Sequence, residues 1–152
     1  MKRFLSVISV TILLFSLCIA PAAAAEISVP STDVIYFEDG SYLTTTLIID
    51  NLSVARTTYG ISGHKNVHYS NASGDILWTL TVYGTFTYNG TTATATSASY
   101  SHEVYSSAWS FKSGSAYCSD NQAIAEGKFN GGFLLNRSAT VTLTCSPTGV
   151  LS

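Results

Sequence analysis

Positive charge is the first thing this sequence is short of. Of its 152 residues only seven are Lys or Arg, and two of them, Lys2 and Arg3, stand at the very start. Nucleic acid and anionic membrane both demand clustered positive charge, so the sequence argues against either as a partner. Acidic residues are scattered as well, and no run of them suggests a calcium site. Helical periodicity is missing beyond the first 25 residues. There is no Gly-x-Ser-x-Gly elbow and no evident His and Asp orienter, so the abundant serines single out no nucleophile. The few carboxylates define no glycosidase pair by spacing. The chain is therefore read as a non-enzyme without a cofactor.

Cysteine is scarce too, with three in all. Cys18 falls inside a leader: Lys2 and Arg3 supply the positive start, Phe4 to Ile19 the apolar stretch, and Ala22 to Ala25 the small residues that a signal peptidase needs. Cleavage is expected before Glu26, giving a signal peptide of residues 1–25 and a single domain of residues 26–152. Leu17 before Cys18 disfavours a lipid anchor, because lipid attachment wants a small residue there. The apolar stretch is too short to be favoured as a membrane span, and none is expected to remain after cleavage. What remains has five basic residues against nine acidic ones, a net charge of about −4. In an exported chain the remaining pair, Cys118 and Cys145, reads first as a disulfide that would stabilise by roughly 3 kcal/mol.

What the sequence has is alternation. Ile76 to Ser99 is two period-two runs joined by Asn89-Gly90, a dipeptide suited to a two-residue hairpin turn because both central positions there need positive φ. That turn would set Tyr88 opposite Thr91 and Phe86 opposite Ala93. It places Trp78, Leu80, Val82, Phe86, Tyr88, Ala93 and Ala95 on one face. The other face carries Thr79, Thr81, Tyr83, Thr85, Thr87, Thr92, Thr94 and Thr96.

A second hairpin is expected around Gly131-Gly132. A two-residue turn there pairs Asn130 with Phe133, Glu126 with Arg137 and Cys118 with Cys145, so the turn and the disulfide agree on one register. Ile124, Phe133, Leu135, Val141 and Leu143 would then share the apolar face, and Ala123 and Ala125 the opposite one.

Earlier in the chain, Glu38-Asp39-Gly40 reads as a turn flanked by Tyr36 and Tyr42, and Leu43, Thr45, Leu47 and Ile49 line one side of a strand that ends at Asp50-Asn51. Val54 to Ile61 and Val67 to Tyr69 read as strands around a polar link, Ser62 to Asn66, and Asn71 to Asp75 as a loop. The phase slip near Ser106-Ser107, between Val104 and Trp109, marks a bulge or turn.

Many short strands with a turn signal about every ten residues indicate an all-β, antiparallel β-sandwich, Ig-like or similar, with a small β-barrel as the alternative. Each hairpin has one apolar face that needs a second sheet as cover.

His64 and His68 have a spacing that converges on a helix, but in loop and strand they are expected to stand apart as surface residues. His102 and Glu103, adjacent on a strand, would point to opposite faces. Regular Thr-x-Thr rows resemble those of ice-binding β-proteins, yet threonine is an ordinary strand former and a twisted hairpin does not match a flat lattice. Tyr83 and Tyr105, with Thr85 and Thr94, are the candidate ligand-facing surface.

The segment Ile76 to Ser99, with its tryptophan-initiated strand, Gly-Thr-Phe-Thr-Tyr-Asn-Gly turn and Thr-Ala repeat, resembles small secreted β-rich proteins of Gram-positive bacteria, most of them without an assigned function. The resemblance implies export and a single β domain, and carries over no functional residue. The functional expectation is a secreted or cell-surface binding module for an extracellular partner, whether glycan, cell wall or protein. A bacteriocin-like or toxin-like effector comes second and a secreted hydrolase third. Pro147-Thr148-Gly149 is not followed by an apolar span and basic tail, so release to the medium is expected rather than covalent wall attachment.

Overall fold

Alternating β-branched and aromatic residues favour pleated strands whose two faces meet different surroundings, and here they form two antiparallel sheets. The computed structural model describes residues 32–55, 58–132 and 135–152; the expected signal peptide lies outside them. The strands are β1 (Thr32–Tyr36), β2 (Tyr42–Ala55), β3 (Thr58–Ser70), β4 (Ile76–Tyr88), β5 (Ala93–Val104), β6 (Ser110–Ser119), β7 (Gln122–Asn130) and β8 (Asn136–Thr144). The first five form one sheet in chain order and the last three form the other.

The sheets pack face to face, β7 on β4 and β5, and β8 on β3 and β4. This is a β-sandwich with no closed barrel. Every neighbouring pair within a sheet is consecutive in sequence, so the connectivity is two successive meanders rather than an immunoglobulin Greek key. Among the described residues no helix is long and apolar enough to cross a membrane.

The core is the inner face expected for β4, namely Trp78, Leu80, Val82 and Phe86, closed by Ala123, Ala125, Phe129, Val141 and Leu143 from the second sheet, all at most 3% exposed. Phe37-to-Ser41 is the expected turn: the Phe37 N–H donates to the Ser41 carbonyl at 2.8 Å, and the Tyr36 and Tyr42 rings lie 5.6 Å apart across it. The Asn71 loop also stands, its Oδ1 accepting from the Ser73 and Asp75 N–H groups. The phase slip after Val104 is where the chain leaves one sheet for the other, through a turn closed by Trp109 N–H to the Ser106 carbonyl at 3.0 Å.

Several expectations are corrected. Asp50-Asn51 does not end β2 but interrupts its pairing as a register shift between Ile49 and Asn51, and β3 runs unbroken through Ser62 to Asn66. The central hairpin closes with Tyr88 opposite Ala93 and Phe86 opposite Ala95. Its loop is four residues, because the Asn89 Oδ1 accepts from both the Thr91 and Thr92 N–H groups and favours that wider turn. Thr96 is the extra residue of a bulge, and its hydroxyl donates to the Thr85 carbonyl, so the Thr92-Thr94-Thr96 row is not regular.

The last hairpin departs further. Asn130 pairs with Asn136 and Gln122 with Thr144, around a loop closed by Gly131 N–H to the Leu135 carbonyl at 2.7 Å; Phe133 lies outside the described residues. Glu126 therefore faces Thr140, and Arg137 faces Phe129. Arg137 instead reaches the first sheet's end: its Nη2 donates to the Asp39 Oδ2 at 3.0 Å, and its guanidinium covers the Phe37 ring at 4.9 Å.

The disulfide is not present: Cys118 and Cys145 are both free. Cys118 pairs with Ala123 of β7, and Cys145 lies beyond β7 on the far strand, its N–H donating to the Asn121 carbonyl. Two interstrand spacings amount to about 9.5 Å, beyond the reach of a disulfide between α-carbons.

Candidate functional site

The outer face of the five-stranded sheet gathers two histidines, a glutamate, two tyrosines and a set of hydroxyls. Register explains how. His68, Thr79 and Glu103 form one row across β3, β4 and β5. Asn66, Thr81 and Ser101 form the next, and His64, Tyr83 and Ser99 the third. Rows on one face are two residues apart, roughly 6.6 Å. The middle row is short and the flanking rows are long, so the face sinks between them into a depression of about 250 Å³. Tyr105 stands beyond Glu103 at its margin, anchored by its N–H to the Leu77 carbonyl.

Local contacts hold these groups in place. The His64 Nδ1 donates to the Asp50 carboxylate, 2.9 Å from one oxygen and 3.0 Å from the other. That bond fixes the orientation of the ring. The His64 ring lies against Tyr83, centroids 5.4 Å apart. The His68 Nδ1 meets the Thr79 hydroxyl at 2.8 Å. Tyr83 OH lies 3.3 Å from the Ser101 hydroxyl, and Tyr105 OH donates to the Glu103 carboxylate.

The electrostatics follow from burial and these bonds. Burial holds the His68 imidazole below its ordinary pKa, with the charge of Glu103 opposing. The hydrogen bond to Glu103 is the main cause that raises the Tyr105 phenol above its usual value. At the floor, the Asn66 Oδ1 is buried with no hydrogen-bond partner among the described residues.

Of the four candidate ligand-facing residues, Tyr83 and Tyr105 are brought to the same depression, 41% and 57% exposed. Thr85 and Thr94 are exposed on the same outer face but lie toward the Asn89 turn, outside its lining. Thr79 and Thr81 of the threonine face are buried instead, since taller side chains from β3 and β5 flank them. His102, on the other face of β5, stacks on Phe111 at 3.5 Å, as its opposition to Glu103 requires.

His64, Asn66, His68 and Glu103 are the site members the sequence did not assemble. Their shared face follows once β3 is continuous, because even-numbered residues from His64 to His68 then alternate outward. No group of three or more metal-ligating side chains occurs among the described residues. No protein-family model, curated protein or solved structure matches this chain.

Proposed function

We propose that this chain is a secreted or cell-surface binding module that holds an extracellular glycan in the depression between the His64 and His68 rows. The observation that carries this reading is the pairing of two half-exposed tyrosines, Tyr83 and Tyr105, around one polar concavity on a sheet face that the core does not use. Aromatic rings offer apolar faces to a sugar's C–H groups, and the hydroxyls, imidazoles and amide between them supply directional hydrogen bonds. The alternation that builds the core leaves this second face free for such a role.

The test is retention of the purified chain on insoluble polysaccharides and peptidoglycan, with Tyr83→Ala and Tyr105→Ala alongside. Retention that falls at least tenfold in each variant, with unchanged thermal unfolding, supports the reading. Absence of retention of the unsubstituted chain on every glycan and wall preparation overturns it.

A further inference from the structure

We infer that the ligand of this depression carries free amines: it is a polysaccharide with positively charged substituents rather than an acidic or sulfated one. The inference rests on the glycan reading above and narrows it.

Charge points this way first. Glu103 lines the depression and Asp50 stands directly behind His64, while no Lys or Arg is among the lining residues. Lys65 sits on the same strand as both histidines, but its cross-strand partners Leu47 and Val82 are buried core residues, so it belongs to the opposite face. An anionic polymer would meet the Glu103 carboxylate with no Lys or Arg beside it, a repulsion that weakens binding.

Hydrogen-bond capacity points the same way. The Asn66 Oδ1 is buried and unpartnered. Glu103 accepts from Tyr105, but a carboxylate has about four acceptor positions. The Asn66 amide oxygen and the remaining acceptor capacity of Glu103 are thus not met by any Lys or Arg of the lining. An ammonium offers three donors and no acceptor, and its charge is attracted to the faces of Tyr83 and Tyr105 as well.

Isothermal titration of the purified chain at about pH 6, where carboxylates remain ionised, distinguishes the possibilities. The probes are a β-1,4-linked glucosamine oligomer, the same oligomer fully N-acetylated, and a sulfated oligosaccharide. The free-amine oligomer is expected to bind at least tenfold tighter than its acetylated form and to weaken as salt is raised. Glu103→Gln is expected to bring its affinity down to that of the acetylated oligomer, with unchanged thermal unfolding. Equal binding of the two oligomers, or tighter binding of the sulfated one, overturns the amine inference and leaves glycan binding standing. Binding of none of the three, together with no retention on any polysaccharide or peptidoglycan, overturns both.

Discussion

Trp78 of β4 and Phe129 of β7 lie face to face, ring centroids 3.9 Å apart and 6° from parallel, and so join the two sheets through one stacked pair. Both are at most 1% exposed. Tyr69 stacks on Trp78 with centroids 5.1 Å apart, and Trp109 closes the group edge-on against Tyr69 at 5.2 Å. Removing one ring from such a stack leaves a cavity that its rigid neighbours cannot fill. Phe129→Ala should therefore cost about 3–5 kcal/mol of stability. Urea unfolding followed by tryptophan fluorescence measures it, and a loss below about 1 kcal/mol would show that the sheets are not held at this point.

The two cysteines should behave as independent thiols. Cys118 is exposed and Cys145 is fully buried, and burial raises the Cys145 pKa, which lowers its reactive thiolate fraction. In a chain of residues 26–152, a thiol reagent should label Cys118 in the folded state and Cys145 only after denaturation. Intact mass should match two reduced thiols. A mass lower by two hydrogens, with no labelling before reduction, would contradict the separation across β7.

How well the sequence announces this fold depends on the parity of each register. In the central hairpin the pairing next to the turn differs from a two-residue turn by an even step, and the Thr96 bulge makes the step odd beyond Phe86, which turns over β5 but not β4. Trp78, Leu80, Val82 and Phe86 keep their inward face even though Phe86 meets Ala95 instead of Ala93. In the last hairpin the step is odd, and an odd step turns a strand over. Ala123 and Ala125 are consequently core and Ile124 is not.

The register shared by a Gly131-Gly132 turn and the cysteine pair is a coincidence of numbering. The physical requirement lay elsewhere. Large side chains on β4 need small residues beside and opposite them: a Cβ on Gly84 would come within 2.7 Å of the Phe86 ring and 2.9 Å of the Ala123 Cβ, and one on Gly127 within 3.0 Å of Leu80. Ranking Ile above Ala by hydrophobicity hides that demand for space. The site is hidden differently, since Ser62 to Asn66 reads as a polar link when each outward position is judged alone. Only the neighbouring strands show that it is the middle of a solvated face.

Acid should weaken the fold through His68. Its folded pKa lies below the ordinary 6.5 because burial penalises the imidazolium, with Glu103 opposing; Thr79 is its hydrogen-bond partner. Between the folded and unfolded pKa values the unfolded chain binds more protons, so stability rises with pH across that window. The contribution of His68 is present above pH 6.5 and is lost as pH falls below it toward the folded value. The urea midpoint should drop from pH 7 to pH 5, and His68→Gln should flatten that drop. A variant whose pH dependence parallels the original would assign the effect to other groups.

Two glycines with the same backbone conformation should respond differently to alanine. Gly90, at φ +88°, has open space where a Cβ would go, and its N–H donates to the Pro147 carbonyl at 2.9 Å. Gly149, at φ +85°, would place a Cβ 2.3 Å from Cζ of Tyr88, in the turn that returns the chain so that Leu151 is buried beside Gly63. Gly90→Ala carries only the left-handed backbone cost of about 1–2 kcal/mol. Gly149→Ala adds displacement of an aromatic ring and should cost about 3 kcal/mol or more. In a Tyr88→Ala background the ring is gone, so the Gly149→Ala penalty should fall to that of Gly90→Ala. Denaturant unfolding of the double-mutant cycle reads the coupling directly. Additive penalties would place the origin of the Gly149 requirement in the turn's backbone alone.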